Sequence, residues 1–305
     1  MKQRRKKYTK YISLYLMMVP GFLYLLINNY LPMLGITIAF RDINYSKGIF
    51  FSDWVGFENF EFLFRTDDVF LITRNTLLYN LSFIVLNTVV AVLAAVFLNE
   101  IRVKAISRFC QTSILLPYLI SMTIVAYLVY AWLSEDTGML NKSLIPLLGG
   151  EPISWYSEPQ YWPFILILVN TWKNFGYLAV VYYATIVGFD RSYYEAAILD
   201  GAGHWQQVRY ITLPLLKPII SMMVLLSLGK VFYSDFGLFY QVTMDSGMLA
   251  NVTSVIDTYV YKGLMQLGSI SMSSAAGVYQ SLVGFVLVML SNFVVKKISP
   301  ENSLF

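Results

Sequence analysis

The chain has 305 residues, of which 57% are hydrophobic and only 13% charged, and its mean hydropathy is +0.59. Soluble domains carry roughly 25% charged residues, so these values exclude an ordinary soluble enzyme, a disordered regulator and a nucleic-acid binder, and place the chain in lipid. The net charge is +4, and Cys110 and His204 are the sole cysteine and histidine; no internal disulfide or His-cluster metal site can be built, and His-based catalysis is disfavoured.

A helix crosses the hydrocarbon core with about 20 mostly apolar residues. Six stretches qualify, at residues 11–31, 72–98, 110–133, 161–187, 215–239 and 275–295, and none shows the alternation of a barrel strand. The first follows the basic run Lys2, Arg4, Arg5, Lys6, Lys7 and Lys10 and so resembles a secretory signal. Asn28, Asn29, Tyr30 and Pro32 stand where a cleavage site would be, so this span is expected to be retained.

The intervening segments sort by Lys and Arg content. Six basic residues precede the first span; Arg102, Lys104 and Arg108 lie between the second and third; Arg191, Arg209 and Lys217 mark the segment between the fourth and fifth; Lys296 and Lys297 follow the sixth. The opposite side holds Arg41, Lys47, Arg65, Lys142 and Lys262 and most of the acids. Both termini are therefore expected in the cytoplasm. The chain reads as an all-α membrane protein, one domain over residues 1–305, with external segments at 41–71 and 134–160 and a cytoplasmic segment at 188–214. No internal repeat is visible, which weakens an inverted-repeat transporter architecture.

The cytoplasmic segment reads as a helix, a turn and a second short helix. Ser192 and Glu195 have capping-box spacing, Ala196 and Ala197 continue the helix, and Gly201 suits the left-handed residue that ends one. Ala202, Trp205, Val208 and Ile211 recur every three residues as an apolar stripe, and Pro214 marks entry into the fifth span. By itself this is an amphipathic connector at the membrane surface. However, Glu195-Ala196-Ala197, Gly201-Ala202 and Ile211, Leu213 and Pro214 together resemble the EAA loop of bacterial ABC importer permeases.

The resemblance extends to Pro20-Gly21, Trp54-Val-Gly-Phe57, Arg74-Asn75-Thr76, Leu98-Asn99-Glu100, Leu116-Pro117 and Val255-Ile-Asp-Thr-Tyr-Val-Tyr261, which look like the carbohydrate-uptake, polysaccharide-type branch of these permeases. It implies a type I importer fold with six core helices. It also implies a second, related permease as heterodimer partner, two ATPase subunits docked on the loop, and an extracellular lipid-anchored binding protein that delivers an oligosaccharide. The chain has no P-loop, so ATP and magnesium fall to the partner ATPase, and no cofactor and no enzymatic role are expected here.

Ionisable side chains inside spans are costly and point to function. Lys173, and Lys230 with Asp235, are the candidates. Sugars are bound by aromatic faces and planar polar groups. Helical spacing puts Asn170, Lys173, Asn174 and Tyr177 on one face of the fourth span; with Tyr233, Asp235 and Gln241 they are expected to line the translocation path. The competing reading is that the lysines snorkel or pair with acids and the amides join helices. The tyrosines in or near spans suit an interfacial belt or packing, and Trp54, Phe57 and Phe60 suggest that the first outer segment folds against membrane or partner. The amide- and aromatic-rich path favours a neutral oligosaccharide, while Lys173 and Lys230 leave uronic-acid sugars open. The competing functions are an ion-coupled secondary transporter, import of a non-sugar solute, and an intramembrane protease, whose motifs are absent.

Overall fold

The structure, a computed structural model, describes residues 11–65 and 67–298; the basic run from Lys2 to Lys10 lies outside them. The described residues are mostly helical, and backbone contacts divide the chain into two compact units.

The first unit comprises residues up to Asp67 together with Val260–Tyr279. Helix α1, Ile12–Leu25, continues through a π turn at Leu26–Tyr30 into a 3-10 stretch, Leu31–Phe40, and the apolar segment Leu14–Phe40 is long enough to cross a membrane. Beyond it, β1 (Arg41–Asp42) pairs antiparallel with β2 (Asp53–Trp54), and α2, Glu58–Arg65, follows. Phe40 is the hub: Trp54 stacks on it at 5.4 Å, and Phe57 and Phe60 pack at 5.5 and 5.2 Å. The three aromatics expected to face membrane or partner thus gather in a cluster on Phe40, with Trp54 and Phe57 still exposed. Asn59 clamps it by donating to the Ala39 and Arg41 carbonyls.

The second unit comprises Asp68–Tyr259 and the chain from Gln280 onward. Its long members are α3, Asp68–Glu100, and α6, Trp162–Val187, which pack along one another. Helix α4, Lys104–Leu119, and helix α5, Met122–Leu133, meet at 96°. The third predicted span, 110–133, is therefore not one straight rod. Pro117 and the break at Ile120–Ser121 explain this, since Ser121 accepts from the Ile124 N–H and starts a new helix.

The fifth predicted span also differs from the structure. Its helix runs without interruption from α8, His204–Gln207, through a π turn at Val208–Thr212 into α9, Leu213–Leu228. The second short helix and the span are one 25-residue helix. The reason is the π turn: the Leu213 N–H reaches back to the Val208 carbonyl, so the chain tolerates Pro214, which has no N–H to offer. At the other end the helix stops at Leu228 rather than 239, and irregular chain leads to a separate π turn, Gly237–Val242. The last long helix, Ile270–Ile298 (α11), follows α10, Ile256–Met265.

Among the described residues, five helical segments are long and apolar enough to cross a membrane, and six if the bent α4–α5 pair is one span. One core gathers Tyr79, Phe83, Val125, Trp162, Val169 and Phe239; a second, built on small residues, gathers Ala91, Ala95, Ala179, Tyr182 and Leu216. Ala91, Ala95 and Ala179 let the α3 and α6 backbones approach closely.

Candidate functional site

The segment between α6 and α9 holds the first group of expected site residues. Helix α7, Ser192–Leu199, starts one residue earlier in register than a capping box requires: Arg191 is the N-cap and Ser192 the first helical residue. The capping box therefore does not form. Asp190 takes its place, its carboxylate accepting from the Ser192 N–H at 2.9 Å. That bond, reinforced by the serine hydroxyl, holds the Asp190 carboxyl below the usual range.

The end of α7 follows the sequence closely. Gly201 has φ +78°, the Gly201 N–H donates to the Ile198 carbonyl at 3.0 Å and the Ala202 N–H to the Ala197 carbonyl at 2.8 Å, which together make a Schellman motif. Gln206 then accepts from the Gly203 N–H at 2.7 Å, and Gln207 donates to the Ala202 carbonyl. Tyr194 is tied to Thr212 at 3.0 Å, and His204 pairs with Glu100 at the end of α3 at 3.0 Å. The inward side is thus anchored to two span helices, while Glu195, Ala196, Ile198, Leu199 and Trp205 stay exposed. Leu199 is 88% exposed and Trp205 69%, an apolar surface on a rigid turn.

The expected path residues separate into two kinds. Asn170 is buried and accepts from the Asn87 amide at 3.0 Å, joining α3 to α6. Asn174 donates back to the Asn170 carbonyl. Lys173 reaches the Pro117, Tyr118 and Ile120 carbonyls at 3.2, 3.3 and 2.5 Å, the end of α4. Among the described residues it meets these carbonyls and no acid. Tyr177 stacks on Tyr118 at 5.0 Å yet stays 44% exposed.

Beyond the end of α9, Tyr233 and Asp235 are exposed. Asp235 accepts from the Leu238 N–H and so caps the Gly237–Val242 turn, and Gln241 accepts from the Thr123 hydroxyl at 3.1 Å. The two groups of candidates share one apolar core, in which Val169 lies with Leu238, Phe239 and Val242.

The family model for the binding-protein-dependent transport system inner membrane component matches residues 87–300. This chain belongs to that family. Among curated relatives, the LplB protein of Bacillus subtilis strain 168 is 35% identical over 95% of this chain and 90% of its own length. The polygalacturonan/rhamnogalacturonan transport system permease YteP of the same strain is 36% identical over 95% and 89%. Among solved structures, a bacterial ABC transporter involved in import of the acidic polysaccharide alginate is similar with a TM-score of 0.88 at 29% identity, covering 97% of this chain and 99% of that one. A complex of the bacterial alginate transporter with an alginate pentasaccharide-bound periplasmic protein gives 0.86.

Within this inner membrane component, sequence reasoning passed over one polar junction. Asp257 on α10 accepts from the Ser234 N–H at 2.7 Å and from the Gln280 amide at 3.1 Å, and Gln280 also donates to the Phe232 carbonyl. These bonds hold the irregular chain after α9 to α10 and α11. A signal was present: Gln280, like Asn87, is a polar side chain inside a predicted span, and either could have been singled out on the argument applied to Lys173.

Proposed function

We propose that this chain is one membrane subunit of a binding-protein-dependent ABC importer that carries an oligosaccharide, acting with a second related permease, two ATPases and an external binding protein. The observation behind this reading is the 190–214 segment: a small capped helix with an exposed apolar tip, closed by Gly201 and continuous with a span-length helix. ATP and magnesium are assigned to the ATPases, and both termini, with this segment, to the cytoplasm on the charge asymmetry. The cargo reading rests on relatives named for sugar transport, among them YteP, the galactooligosaccharide permease GanP and the lactose permease LacF. YteP and the alginate transporter are named for acidic polymers, which favours an oligosaccharide with uronic-acid units over a neutral one.

Coupling then follows from helix continuity. An ATPase that closes under ATP grips Glu195, Ala196, Ala197 and Gly201-Ala202 and displaces the segment. The displacement passes through Ile211, Leu213 and Pro214 into a 25-residue helix, roughly 37 Å at 1.5 Å per residue, and arrives at the break after Leu228. Tyr233 and Asp235 lie on that break, and Gln241 just beyond it; with Tyr177 and Asn174 they are assigned to the path, and opening it outward admits the sugar. Asn170, buried against Asn87, and Lys173, which meets three backbone carbonyls around the end of α4, are assigned to the frame around it.

The test is ATP-driven uptake of neutral and uronic oligosaccharides by the complex in vesicles. Uptake of none of them, with ATPase activity intact, overturns the cargo reading. Gly201→Trp is expected to leave the complex assembled, retain ATPase activity and lower uptake at least tenfold; normal uptake overturns the coupling assignment.

A further inference from the structure

We infer that Lys173 is a positioning residue that caps the broken third span from a neighbouring helix and so sets the direction of α5. The last carbonyls of a helix lack intrahelical partners, and in lipid no water is at hand to meet them. Helix α4 ends at Leu119, and around its end stand the carbonyls of Pro117, which also accepts from the Ile120 N–H, of Tyr118 and of the cap residue Ile120; from there the chain turns by 96° into α5. An ammonium has three donors and no acceptor; Lys173 meets those three carbonyls with its one nitrogen. Its charge also lies at the negative end of the α4 dipole.

The lysine is held there by its own helix. Three residues on, a Cβ built on Gly176 would stand 1.8 Å from the Ile114 carbonyl oxygen, so α4 and α6 are in backbone contact beside the pin and the bend cannot drift from it. Downstream, α5 packs Val125 and Ala126 against Leu238, Phe239 and Val242, and Thr123 donates to Gln241. The direction that Lys173 imposes on α5 therefore determines where the Gly237–Val242 turn lies. This joins the fourth span, through the broken third, to the break in the fifth. The functional consequence rests on the importer reading above; the geometry of the bend does not.

The test uses the full complex with Cys110→Ser and nitroxide labels at Leu116 and Leu128, exposed positions on the two arms. Lys173→Met is expected to broaden the label-to-label distance distribution at least twofold, and Lys173→Arg, which keeps charge and donors, to restore it. Lys173→Gln, a milder change with fewer donors, serves where the Met variant does not assemble, and is expected to broaden the distribution too. Binding-protein-stimulated ATPase activity is expected to fall at least tenfold with basal activity within twofold; loss of assembly alone would lower both together. A wild-type distance distribution in the Met or Gln variant overturns the inference, as does a selective rise in KM for an acidic oligogalacturonide with distances unchanged, which marks a cargo-binding cation. The distances need no transport, so failure of the wild-type complex to import sugar sinks the importer reading and leaves the bend result standing.

Discussion

Asn170 shows how a single polar side chain divides between two roles. Its spacing with Lys173, Asn174 and Tyr177 is real, and all four lie on α6, but the Asn170 carboxamide is buried against Asn87. An interhelical hydrogen bond of this kind in a membrane protein contributes about 0.6 kcal/mol and at most about 1.7. Asn170→Ala is therefore expected to lower the thermal stability of the detergent-solubilised complex by that order, with uptake KM unchanged. In a double-mutant cycle with Asn87→Ala, additive losses would contradict the pairing. Gly201 was legible from sequence because its role is local: the residues it closes against, Ala197 and Ile198, lie within the preceding turn.

Elements were legible where their cause was local and misread where a neighbour decided. The helix ahead of Gly201 was expected and is present, but its start belongs to Asp190, because a carboxylate two residues ahead of an N–H competes for it and wins the register. Pro214 reads as punctuation, yet a π turn carries the helix through it. The close approach of α4 and α6 shows in no periodicity, since glycine gives no signal of what faces it. Gly176→Val would force a side chain into the Ile114 backbone. It is expected to cost about 1–3 kcal/mol, the range for overpacked cores, read as a lower unfolding midpoint of the complex. An unchanged midpoint would mean that the two helices do not touch.

At the scale of the whole chain, the polar junction at Asp257 matters most. One carboxylate serves the Ser234 N–H on the irregular chain after α9 and the Gln280 amide on α11. Asp257→Asn keeps one acceptor oxygen and turns an NH₂ toward the other donor. That strands a donor and is expected to destabilise the complex by about 1–3 kcal/mol. A wild-type melting midpoint in Asp257→Asn would show that the junction bears no weight.

The sequence by itself determined what depends on composition and near neighbours: the apolar segments, the side on which cations collect, the spacing around Glu195 to Pro214 and the helix end at Gly201. Hydropathy and hydrogen bonds between residues a few positions apart act before any packing exists, so they are written in short windows. Tertiary structure alone decided which polar side chain meets which. The Lys173 ammonium finds carbonyls 53 to 56 positions earlier, and Asn170 an amide 83 positions away. In lipid every buried donor must be met by whichever acceptor packing brings near, and no local pattern encodes that meeting.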